Sequence, residues 1–202
     1  MTNENSKNAM RVVSLGILVS LAVLGNSAGA EDNHSAPERA FAFRHVGYFH
    51  RWSQNDQHEF TPEKQDDLNK WSDMVTVNGY PKVNEGEGLA RTANAVLENY
   101  KNHQAKVLKT RSVPRTADRP AEHFIAVVFT RPEFIEVVFA RFKLVEGEGF
   151  SFVYSHRIYG GEIGDQMSAW LKANGDEIED ALMEWSSMPA PASLRDLPET
   201  ES

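Results

Sequence analysis

Two alternating apolar runs around a glycine turn restrict the fold of this 202-residue chain more than any other feature. Residues 133–145 carry Phe134, Ile135, Val137, Val138, Phe139, Ala140, Phe142 and Leu144, and Phe150 to Tyr159 places Phe150, Phe152, Tyr154, His156 and Ile158 on one face. Successive side chains of a strand point to opposite faces, so a period of two predicts strands. Glu146-Gly147-Glu148-Gly149 then forms the connection of a hairpin. A third such segment, Glu122 to Thr130, precedes it and ends at Arg131-Pro132.

Ahead of these strands, Arg44 to Trp52, His58 to Thr61 and Trp71 to Asn78 also read as strands. Polar Pro62 to Lys70 suggests a short helix. Leu89, Ala93, Val96, Leu97, Tyr100, Val107 and Leu108 recur at helical spacing and predict a helix from Gly88 to about Lys109. Arg111 to Pro120, interrupted by Pro114 and Pro120, reads as a loop. Met167, Trp170, Leu171, Ile178, Leu182 and Trp185 supply the buried stripe of a closing helix with Asp165 as its N-cap; Gly175 is its weak point. Strands that cluster and follow one another through turns imply an antiparallel sheet. The expected class is α+β, an antiparallel sheet with two main helices packed on it.

The N-terminus reads as an export signal. Residues 12–24 are uncharged and apolar, follow Lys7 and Arg11, and precede Ala28-Gly29-Ala30. The run is shorter than the ~20 apolar residues of a spanning helix, so cleavage after Ala30 is expected rather than anchoring. Initiation at Met10 would give a tighter signal of the same kind. The expected organisation is a signal peptide over 1–30, a flexible lead-in over 31–40, one α+β domain over 41–187, and a disordered proline-containing tail over 188–202. No second long apolar run follows, so no membrane span is expected in the mature chain. The chain has no Cys, which excludes disulfides, thiol nucleophiles and a lipidated N-terminal cysteine. An exported chain without disulfides fits a bacterial periplasm. Its net charge is −8, and removing residues 1–30 takes away Lys7, Arg11 and Glu4, leaving it one unit more acidic. Such a charge argues against nucleic acid as a partner.

Candidate chemistry is sparse. Seven histidines are present, none at the spacing of a helical metal pair. The best metal candidate is His50 with His58 across a hairpin, and an exposed polar hairpin tip explains the pair as well. His156 sits within an aromatic strand face, where it is either a core histidine or a pocket acid/base; His123 leads a nearby strand that would bring it close. In the pocket reading, Arg141 or Arg157 would hold an anion. Arg111, Arg115 and Arg119 recur every four residues and suit phosphate or carboxylate if the loop folds around it. A solvated loop is the plainer alternative. Glu85-Gly86-Glu87-Gly88 and Glu146-Gly147-Glu148-Gly149 carry two carboxylates each, and turn chemistry accounts for both. No nucleophile elbow or cofactor motif occurs, so no cofactor is expected.

Asp67-Leu-Asn-Lys-Trp71-Ser-Asp-Met-Val-Thr76, Glu136-Val-Val-Phe-Ala-Arg-Phe142 and Val153-Tyr-Ser-His-Arg-Ile-Tyr159-Gly resemble a family of exported bacterial proteins. The strand order also resembles PsbP-like α/β/α sandwiches, a group of small exported accessory proteins. The resemblance assigns no role to individual residues. The export signal, the single domain and the lack of a recognisable catalytic constellation lead to the expectation of a soluble periplasmic binding or accessory protein rather than an enzyme, with a small anionic ligand or an envelope protein at the Arg111–Arg119 loop as partner. A small hydrolase or isomerase using His123 or His156 is the alternative.

Overall fold

The structure, a computed structural model, describes residues 39–200; the export segment and residues 31–38 of the lead-in lie outside them. Arg39 and Ala40, expected in that lead-in, already belong to the first strand. The hairpin over 133–159 is present as β7 (Phe134–Val145) and β8 (Glu148–Tyr159), paired antiparallel along their full length from Phe134↔Tyr159 to Val145↔Glu148. Around it the chain builds one eight-stranded antiparallel sheet. The first half is a meander of β1 (Arg39–Phe43), β2 (Val46–Gln54), β3 (Gln57–Pro62) and β4 (Asp73–Tyr80). The second half is another meander, β5 (Lys106–Val113), β6 (Glu122–Thr130), β7 and β8. They join where β4 pairs with β8, giving the order β1-β2-β3-β4-β8-β7-β6-β5.

The helices α1 (Gly86–Asn102) and α2 (Gly164–Glu184) cover opposite faces, because the strands between them are apolar at odd and even positions alike. Phe124, Val137, Phe139, Phe152 and Tyr154 share a core with Met167, Ile178 and Leu182 of α2. The alternate residues Val127, Phe129, Val138 and Phe142 are buried on the other face, where Tyr100 of α1 meets Phe129 edge-on at 5.6 Å. The fold is therefore α+β, with the sheet sandwiched between helices.

Several local expectations change. The single strand expected over 44–52 is preceded by another, because Arg44 and His45 both take positive φ (47° and 66°) and turn the chain between β1 and β2. Pro62–Lys70 is a run of turns, closed by Gln65 N–H donating to Pro62 O and Lys70 N–H to Asp67 O, rather than a helix. Helix α1 stops at Asn102, not near Lys109: Gln104 has φ 65°, and Ala105 N–H donates back to Tyr100 O. Val107 and Leu108 thus lie on the exposed edge strand β5, which also takes in Arg111–Val113 of the expected loop. Asp165 lies in the first turn of α2 and makes no side-chain cap hydrogen bond; the cap position is Ile163. Gly175 interrupts nothing.

Residues 188–200 are not a loose tail. They include α3 (Pro191–Arg195), in which Pro191 and Leu194 are buried and Leu194 joins the same core as α2. Beyond it, Thr200 N–H donates to Ser53 O at 2.8 Å, and Ser53 N–H donates to Thr200 Oγ1 at 3.2 Å. Pairing of β1 with β2 ends at Phe49, so Ser53 has backbone groups to spare for this contact.

Candidate functional site

A cleft of about 340 Å³ opens between the β1–β2 turn, the upper ends of β4 and β8, and α2. Sheet register builds its floor. Asp73 pairs with His156 and Val75 with Tyr154, so the carboxylate, the imidazole and the phenol emerge side by side on the α2 face. Asp73 Oδ1 accepts from Tyr154 Oη–H at 2.6 Å and from His156 Nδ1–H at 2.9 Å. An ionised carboxylate only accepts, so the Nδ1 proton is fixed by this contact and any lone pair on the ring lies at Nε2. Burial works to raise the Asp73 carboxyl, but the hydrogen bonds from His156 and Tyr154 outweigh it and hold the group below its ordinary range. Tyr48 and Tyr154 are both pushed above the ordinary phenol range, by burial first and then by the Asp73 charge, so both stay as O–H donors.

Trp170 of α2 lies flat on His156, with ring centroids 4.0 Å apart and planes 1° from parallel. The imidazole is thereby clamped between a carboxylate at its edge and an indole on its face. Phe43 and Val46 add an apolar wall, and Arg44 reaches in from the turn. The cleft thus offers an aromatic and aliphatic lining with a few convergent polar groups, the usual make-up of a small-molecule site.

His156 is consequently a cleft residue rather than a sealed core histidine. His123 does not approach it: His123 pairs with Phe142, on the α1 face, and lines a separate recess of about 170 Å³ beside α1, β5 and β6. Its Nδ1 lies 2.9 Å from Ser112 Oγ, and burial lowers its basicity. Neither arginine expected to hold an anion is free to do so. Arg141 Nε donates to Glu122 Oε2 at 2.7 Å, while its Nη1 donates to Leu182 O and Trp185 O at the end of α2. Arg157 Nε donates to Glu136 Oε2 at 2.9 Å, and its guanidinium lies 3.9 Å from the ring centre of Trp71.

The arginine series is not brought together. Arg111 lies on β5 and joins Lys109 on the buried carboxylate of Glu179 in α2, at 3.1 and 2.7 Å. Arg115 and Arg119 sit on the exposed connection that follows, and no ion pair or hydrogen bond among the described residues ties their side chains to Arg111. His50 and His58 do meet, through the hydroxyl of buried Ser53, 2.7 Å from His50 Nε2 and 2.7 Å from His58 Nδ1. A β-bulge between His50 and Trp52 puts His50 and Ser53 on one face despite their odd spacing. Burial lowers the basicity of both rings, and the mutual charge of the pair lowers His58 further. Among the described residues no group of three or more His, Asp or Glu is placed to hold a metal.

Sequence reasoning passed over Asp73, Tyr48, Arg44 and Trp170. Asp73 was open to detection, since it continues the alternation of Val75 and Val77 and so points onto an apolar face.

No family model and no curated protein matches the chain. Among solved structures, the chain is similar to the Ran-binding protein Mog1p of Saccharomyces cerevisiae. That match has 9% identity over 74% of this chain and 91% of that one, with a TM-score of 0.46. It is also similar to human STARD10, at 8% identity over 68% of this chain and 74% of that one, with a TM-score of 0.29. Neither likeness bears on function.

Proposed function

We propose that the protein is an exported, periplasmic binding or accessory protein that takes a small organic molecule in the Asp73–His156 cleft. The reading rests on one observation: a histidine held at Nδ1 by a carboxylate and on its face by Trp170, at the edge of an aromatic-lined cleft. Its Nε2 is an acceptor for a ligand hydroxyl or N–H, and Tyr48 is a donor beside it. The apolar run over 12–24 and the Ala28-Gly29-Ala30 site support export with cleavage after Ala30. The exported bacterial family and the PsbP-like group that the sequence resembles are the relatives this reading implies. A second reading, a hydrolase or isomerase with His156 as general base, is favoured by the Asp73–His156 bond, which orients the imidazole of a cleft-lining histidine. The two part at the ligand, which leaves a binding protein unchanged and an enzyme converted.

Mass spectrometry of protein isolated from the envelope of its own cells tests both halves of the proposal. The denatured chain is expected to have the mass of a product beginning at Glu31. The native chain is expected to carry a small organic adduct, lost when His156 is replaced by Ala. A full-length chain in the membrane fraction contradicts the processing. An adduct that persists in the His156→Ala variant, or its absence from the wild type, contradicts the site.

A further inference from the structure

Arg44 is an unexpected residue for its position. Three connections in the sheet turn through consecutive residues of positive φ: Arg44-His45, Asn55-Asp56 and Glu146-Gly147. Asn, Asp and Gly take this conformation readily, whereas Arg and His carry a steric cost. The β1–β2 turn therefore holds its arginine against local preference. The guanidinium it places lines the cleft and is only partly satisfied: Nη2 is 2.7 Å from Glu177 Oε1, while Nε is fully buried and has no hydrogen-bond partner among the described residues. A buried N–H of a charged group without an acceptor is costly. Glu177, the one anion paired with Arg44 among the described residues, is largely solvent-exposed (70%) and is therefore easily exchanged. Asp73 is the carboxylate that lines the cleft itself; it stays ionised, and its Oδ1 already accepts from Tyr154 and His156.

We infer that the cleft ligand is a carboxylate with an apolar body, its oxygens accepting from Arg44 once Glu177 is displaced from the guanidinium and its body lying against Phe43, Val46 and Trp170. The pairing would satisfy Nε and Nη2 together, the fork geometry that arginine offers a carboxylate. Tyr48 Oη–H supplies a further donor in the same cleft. This inference rests on the proposed ligand site and adds the ligand's charge and its anchor.

The test compares phenylacetate and hexanoate with their primary amides, which keep the body and remove the charge. Binding is followed by calorimetry at low salt and by NMR shifts of the cleft residues. In the wild type each acid is expected to bind about tenfold more tightly than its amide or better. Glu177→Gln, which removes the competing anion, is expected to strengthen acid binding a few-fold and leave amide binding unchanged. Arg44→Asn combined with His45→Gly gives the turn its preferred residues and removes the guanidinium. It is expected to unfold at no lower temperature than the wild type and to bind acid and amide equally. Equal binding of acid and amide in the wild-type cleft would overturn the carboxylate assignment and leave the ligand site standing. Failure of all four probes to perturb the cleft would overturn both.

Discussion

Replacing Arg141 with leucine is expected to destabilise the fold by about 3–5 kcal/mol, the cost of removing one partner from a buried, hydrogen-bonded charge pair. Arg141 is 5% exposed in the middle of β7. Its Nε satisfies Glu122, and its Nη1 satisfies the carbonyls of Leu182 and Trp185, where α2 ends and its own amides can no longer reach. The cation also lies at the negative end of the helix macrodipole. Leucine fills most of the volume but leaves the Glu122 carboxylate with Lys143 at 3.9 Å and strands two carbonyls. Urea denaturation of the wild type and of Arg141→Leu and Arg141→Lys checks this. Lysine keeps the charge but not the fork, and should recover less than half of the loss. A leucine variant within about 1 kcal/mol of the wild type would show that the arginine does not hold α2 to the sheet.

The second large effect is expected at the C-terminus. Leu194 is 2% exposed and packs into the main core beside Trp185 and Leu182. Leu194→Ala should cost about 2–3 kcal/mol, within the usual range for a buried leucine truncated to alanine. Truncation after Ser187 should cost a similar amount, since the lost burial and the two Ser53–Thr200 bonds are offset by the entropy of thirteen residues no longer ordered. Chemical denaturation reads both variants. If residues 188–200 were a loose appendage, neither change would move the midpoint.

This segment also shows where sequence reading stops. Its docking is carried by isolated apolar residues, Leu194 and Leu197, between Pro189, Pro191 and Pro198, so no periodicity announces it. The β7–β8 hairpin was legible because two long runs rich in β-branched and aromatic residues flank a glycine-containing turn. Strand β5 was not: an edge strand exposed on both faces carries no alternation, and Val107 and Leu108 extend the apolar series of α1 in register. Nothing local marks the helix end except Gln104, whose left-handed backbone is no strong preference of glutamine. For the site, one strand face was enough to bring Tyr154 and His156 together, and the same alternation carries Asp73 onto it. That β4 pairs with β8, and that Trp170 and Arg44 close over them from α2 and from a turn in the first hairpin, are long-range facts of topology that no local pattern encodes.

If the Asp73–His156 cleft is where this protein meets its ligand, small molecules that bind will perturb its lining residues. The most direct measurement is chemical-shift mapping on isotope-labelled protein, titrated with a library of small organic fragments including aromatic and aliphatic carboxylates. Binders are expected to shift Arg44, Tyr48, Asp73, Tyr154, His156 and Trp170 together, with the His156 Nε2 resonance moving while Nδ1–H stays bound to Asp73. Shifts gathered instead around His123 and the recess beside α1, or around Arg115 and Arg119, would contradict the assignment of the cleft.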